Sequence, residues 1–187
     1  RCRYCRAPVS IQYPAVELLT ASAFILCLLS KGPGMGSAIM CMFSGILITA
    51  AFIDARHMYI PDGIHVLILL LSCISLAAGS APSLMNRLGG SLLTGGFLAL
   101  VNLLSRGGVG WGDVKLFAAS GLLIGAAPAM TALLMGYVTA GLWYAVPLLR
   151  GRVGRKTQIP MAPFFAVSLM ICGLWFRQLL LWYLGFF

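Results

Sequence analysis

Apolar residues in this chain fall into long blocks separated by short breaks that are polar, glycine-rich or proline-bearing. The blocks run roughly 15–30, 35–53, 63–79, 88–104, 114–127, 129–149 and 161 to near the end. An apolar run of about 17–25 residues crosses a bilayer as an α-helix. Membrane-barrel strands would be shorter and would alternate, and these blocks do not. The pattern predicts an all-α, polytopic integral membrane protein with about seven transmembrane helices. Pro14 fits the first turn of the first helix, where its missing N–H costs nothing, and Glu17 reads as an acid in that same helix start. The fourth block is rich in Gly and Ser, which lets helices approach closely. The fifth is short for a full span and reads as tilted or partly sunk, with Pro128 separating it from the sixth. No repeat at a fixed period appears, so residues 14–187 read as one transmembrane domain preceded by a polar, basic segment, 1–13.

Composition strengthens this reading. The 187 residues are 60% hydrophobic and 9% charged, against about 25% charged in soluble domains. The net charge of +9 is best explained by topology, because basic residues gather in the cytoplasmic loops of membrane proteins; nucleic acid is not expected as a partner. With seven alternating spans, one side holds Arg1, Arg3, Arg6, Arg56, Arg106, Lys115, Arg150, Arg152, Arg155 and Lys156. The other holds Lys31, Arg87 and Arg177. Ten against three assigns the first side to the cytoplasm, and with it both polar breaks that carry aspartates. The basic loop 150–156 is then placed to stay near anionic lipid headgroups.

Carboxylates are scarce: Glu17, Asp54, Asp62 and Asp113 are the only four. Asp54 closes one apolar block, and Asp113 opens another after the glycine turn Gly107-Gly108-Val109-Gly110-Trp111-Gly112. A carboxylate at or within the membrane is a functional hypothesis by default. Two that converge cannot both ionise easily and come to share a proton. One then takes a proton from water while the other gives one to a scissile carbonyl. Helix ends suggest Asp113 as the ionised base and Asp54 as the protonated acid. Gly108, Gly110 and Gly112 leave backbone uncovered beside Asp113, where an extended peptide can lie. The turn is neither a dinucleotide fingerprint nor a P-loop. His57 and His65 invite a metal reading with Asp54 and Asp62, but their spacing is not a helical i, i+4 pair, and polar loop or helix-start roles are favoured.

Of the six cysteines, Cys27, Cys41, Cys73 and Cys172 lie in apolar blocks and read as small buried hydrophobes. Cys2 and Cys5 form a C-x-x-C pair among arginines. That spacing suits half of a zinc site, though a structural zinc needs four ligands and no second pair exists. A thiol redox pair, or no special role, remains open for them.

Ile53-Asp54 with Ile60-Pro61-Asp62, followed by Gly110-Trp111-Gly112-Asp113-Val114-Lys115-Leu116, resembles the type IV prepilin peptidases, membrane aspartyl proteases with a Gly-x-Gly-Asp motif. Arg1-Cys2-Arg3-Tyr4-Cys5 with Tyr13-Pro14 and Glu17-Leu18 resembles the family's segment after its second cysteine pair. Ile159-Pro160-Met161-Ala162-Pro163-Phe164-Phe165-Ala166 resembles its late Pro-Phe segment. The resemblance implies an aspartic endopeptidase of the bacterial inner membrane that cleaves leaders from prepilins or pseudopilins at the cytoplasmic face. Asp54 and Asp113 are its expected catalytic pair, with Asp62, Gly110, Gly112 and Lys115 in support. Proteolysis needs no cofactor. In the family's full-length enzymes, structural zinc and S-adenosylmethionine serve a cysteine loop and N-methylation. Against that pattern, residues 1–13 read as the remnant of the loop in an N-terminally truncated chain.

Two other classes compete. A proton-coupled transporter would use the aspartates as a relay, but both fall on one side of the membrane. A thiol oxidoreductase would use Cys2 and Cys5, but cytosolic placement of the pair argues against it. Within the protease class, a peptidase of preflagellins is the alternative.

Overall fold

A computed structural model describes residues 10–80, 82–151 and 159–185. Seven α-helices make up the described chain: α1 (Gln12–Lys31), α2 (Met35–His57), α3 (Asp62–Ala77), α4 (Leu84–Leu104), α5 (Trp111–Ile124), α6 (Ala126–Leu149) and α7 (Ala162–Leu184). Each coincides with one apolar block. Five of them, α1, α2, α4, α6 and α7, are long and apolar enough to cross a membrane. The other two are shorter, 16 residues in α3 and 14 in α5.

Several boundaries differ from the sequence reading, three of them with a clear local cause. Helix α5 starts at Trp111, because Gly110 is extended and its carbonyl accepts the Asp113 N–H at 3.1 Å. Gly125, at φ +89°, makes the break between α5 and α6, and Pro128 sits in the first turn of α6, where it fits. Glu17 lies in the second turn of α1, which begins at Gln12 and has no acid in its first turn.

The bundle is apolar outside as well as inside, as a lipid-facing protein must be. Leu29, Leu92, Leu142 and Trp143 are among many large apolar side chains left exposed. Its interior mixes Phe43, Leu47, Phe117, Phe165 and Leu169 with small polar residues such as Ser44, Ser120 and Ser168. Helix α5 is the centre, with Val114, Leu116, Phe117, Ala119, Ser120, Gly121 and Leu123 all buried. It sits hard against α4: a Cβ on Gly121 would lie 2.5 Å from the Gly90 backbone, and one on Gly90 would lie 2.5 Å from the Gly121 carbonyl oxygen. At the same seam Thr94 Oγ1 donates to the Phe117 carbonyl at 3.0 Å. The small residues of the fourth block therefore serve close packing. Helix α1, with only Ala23 and Cys27 buried, lies at the periphery.

One buried charge ties the end of the bundle where α3 and α5 finish. Arg87 was counted among the loop charges of the far side, but it belongs to the first turn of α4 and is 2% exposed. Its Nε donates to Pro82 O (2.8 Å) and its Nη1 to Leu122 O (3.1 Å). Its Nη2 donates to Ser75 Oγ (2.8 Å) and Ser80 O (2.9 Å). A guanidinium offers five N–H donors in a fixed fork, and here it satisfies carbonyls that the helix ends leave over.

Candidate active site

The opposite end is built from the last turn of α2, the first turns of α3, α5 and α7, and the loop between α4 and α5. A cavity of about 620 Å³ opens there, and both Asp54 and Asp113 line it. They come from helices far apart in sequence, α2 and α5. Asp62 does not line this cavity; its side chain is 76% exposed.

Asp54 lies one turn before the end of α2, where its carbonyl accepts the Met58 N–H at 2.8 Å. The residue is 7% exposed. Its Oδ2 accepts the Ala162 N–H at 2.9 Å, and Ala162 is the first residue of α7. The Ile159–Ala166 segment thus gains a structural meaning: Pro160 and Pro163 set up a helix start whose free N–H groups face Asp54. The sequence argument for a protonated Asp54 considered only the C-terminus of α2. The N-terminus of α7 exerts the opposite bias, because its dipole favours an anion.

Asp113 lies in the first turn of α5. Among the described residues no hydrogen bond reaches its carboxyl group, which faces the cavity. Its position depends on the glycines. A Cβ on Gly110 would lie 3.4 Å from Asp113 Oδ2, and one on Gly112 would lie 3.3 Å from Ile60 Cβ. A Cβ at Gly112 would thus be crowded, whereas one at Gly110 would stand at contact distance from the carboxylate. Lys115, the other expected support, places Nζ 2.6 Å from Asp62 Oδ1. This pair joins α5 to α3 at the exposed mouth of the site.

Two contributors, Asn102 and Tyr137, were not singled out in the sequence, and a third, His65, was read there only as a polar helix-start residue. Asn102, 3% exposed near the end of α4, holds the glycine loop. Its carbonyl accepts the Gly107 N–H at 2.9 Å. With its amide oriented to suit its neighbours, its nitrogen donates to Val109 O (2.8 Å) and its oxygen accepts from Trp111 Nε1 (3.1 Å). His65, buried in α3, places Nε2 3.0 Å from Gly112 O. Tyr137 on α6 lines the cavity, its ring edge-on to Phe165 at 5.1 Å. An Asn or a Tyr inside an apolar block is the one signal that could have flagged two of them. The Cys2–Cys5 pair lies outside the described residues, as does most of the basic loop 150–156.

The chain was compared with known proteins. Residues 41–145 match the model of the type IV leader peptidase family, and residues 1–31 match that of the bacterial peptidase A24 N-terminal domain. A prepilin leader peptidase/N-methyltransferase of Aeromonas hydrophila is 33% identical over 98% of this chain and 65% of its own length. One of Bacillus subtilis is 29% identical over 98% of this chain and 74% of its own. A type 4 prepilin-like proteins leader peptide-processing enzyme of Escherichia coli is 37% identical over 90% of this chain and 63% of its own. The chain therefore spans about two thirds of the length of these relatives. No solved structure matches it.

Proposed function

Given that the chain belongs to the type IV leader peptidase family, we propose that it is an aspartic endopeptidase that cuts leader peptides from prepilins or pseudopilins. The observation that carries this reading is the sharing of one cavity, at one end of an apolar bundle, by Asp54 and Asp113. Two carboxyl groups in one water-accessible site hold a single proton between them more readily than two charges or none. Such a pair can activate water and protonate a carbonyl oxygen at once.

The geometry favours a division of roles. Asp54, which accepts a backbone N–H at the start of α7, is the resting carboxylate and removes a proton from the attacking water. Asp113, without such a donor, carries the proton and passes it to the carbonyl oxygen as the tetrahedral intermediate forms. Tyr137, on the cavity wall, is placed to donate to that oxygen. The glycine loop contributes uncovered backbone along which an extended substrate segment can pair. A cavity of this size takes a few residues, not a folded domain, which suits a cut in an unwound stretch beside an apolar helix. The excess of basic residues in the loops on this side supports a site that faces the cytoplasm from the inner membrane of a bacterium. Methyl transfer, named for the relatives, is assigned to no described residue.

The test is cleavage of a synthetic precursor, leader plus apolar helix, by the purified chain in liposomes, with the products weighed by mass spectrometry. A single cut at the leader boundary, insensitive to chelators, supports the reading. Cleavage that stops on chelation and returns with metal would refute the two-carboxylate mechanism.

A further inference from the structure

The carboxyl of Asp54 is tethered directly, by the start of α7, whereas that of Asp113 has no such tether among the described residues. What holds Asp113 in register must act through its backbone. The residue before it, Gly112, has its carbonyl oxygen 3.0 Å from Nε2 of His65. His65 lies in the first turn of α3 and is 5% exposed. A carbonyl oxygen only accepts, so Nε2 is the protonated nitrogen and donates. On the other side of Asp113, Lys115 reaches Asp62, the first residue of α3. The first turn of α3 therefore grips the first turn of α5 on both flanks of the aspartate. Ile60, buried and just ahead of α3, closes the gap against Gly112, 3.3 Å from where its Cβ would stand.

These two grips differ in kind. Lys115 and Asp62 are half and three-quarters exposed, so water screens the pair and it contributes little. The His65 bond is buried, where an unmatched polar group is expensive. His65 Nδ1 has no hydrogen-bond partner among the described residues and lies 3.5 Å from Asp62 Oδ1, so the closer bond at Nε2 is the firmer hold on the ring.

We infer that His65 is a positioning residue for Asp113, holding the Gly112 carbonyl so that the following carboxyl group points into the cavity. The inference rests on the peptidase reading. It requires a hydrogen-bond donor at position 65, not a metal ligand or a titrating base.

The test compares His65→Gln, whose amide can still donate to the Gly112 carbonyl, with His65→Met, which has similar bulk and no donor. Both are assayed in liposomes on the same precursor, with rates referred to the folded fraction. The wild-type chain and Asp113→Asn run alongside. His65→Met should lower kcat about tenfold or more with KM changed by less than about threefold, because a small misplacement of a reacting group is costly. His65→Gln should keep kcat within about threefold. Full kcat in His65→Met, or equal losses in Met and Gln variants, would overturn the inference. Should His65→Met not fold, His65→Gln decides alone: retention upholds the inference and a tenfold loss overturns it. Cutting by wild type but not by Asp113→Asn keeps the peptidase reading standing whichever way His65 falls. A wild-type chain that does not cut removes that reading and this inference together.

Discussion

The two ends of the bundle each bury ionisable side chains among helix ends, and they treat them in opposite ways. At one end Arg87 is enclosed, and its donors find carbonyls of the neighbouring turns and helices and one serine hydroxyl. At the other, Asp54 accepts from the backbone at the start of α7, Asp113 accepts from nothing among the described residues, and both line the cavity. The first arrangement spends a charge on holding α3, α4 and α5 together. The second leaves hydrogen-bonding capacity unused, which is what a site needs if water and a peptide are to occupy it. A buried ionisable group in a membrane protein therefore does not by itself mark catalysis; the unsatisfied one that lines a cavity does.

The contrast can be broken at either end. Exchanging Asp54 for Asn should lower cleavage by about 10³-fold or more, while thermal stability in detergent stays level or rises, since active sites tend to sacrifice stability. Arg87→Leu should do the reverse. Stranding several buried carbonyls should destabilise the fold by about 3 kcal/mol, read as a drop in melting temperature, while the fraction that still folds cuts at nearly the wild-type rate. Gly112→Ala must displace Ile60 or tilt the start of α5, and kcat should fall about thirtyfold with little change in KM. Tyr137→Phe keeps the ring against Phe165 and removes only the hydroxyl; kcat should fall about tenfold, and an unchanged kcat would take Tyr137 out of the chemistry.

Much of this was legible in the chain itself because the membrane makes strong demands. An apolar block long enough to cross has to be a helix, so seven blocks became seven helices, displaced by a few residues at their ends. Where carboxylates are so few, Asp54 and Asp113 stood out; the glycines beside Asp113 read as uncovered backbone, and the close approach of Gly112 to Ile60 was not foreseen. What stayed hidden depends on distance in sequence. The Ala162 N–H that meets Asp54 comes from 108 residues away, and the Gly112 carbonyl that meets His65 from 47. No periodicity reports such pairings. Arg87 misled for a different reason: an arginine just past a turn reads as a solvated topology signal, and only packing reveals that its head is turned inward. The start of α5 was missed because apolarity begins at Val114, whereas the helix begins where Gly110 first accepts a bond.

The central claim is that Asp54 and Asp113 act as one catalytic unit in the shared cavity. The most direct measurement is single-turnover cleavage of a precursor by monodisperse, folded Asp113→Asn protein in liposomes, followed for many wild-type half-lives. The account predicts intact precursor at the end, with substrate still bound. Cleavage at or near the wild-type rate would contradict it, and the glycine turn would then be a structural feature alone.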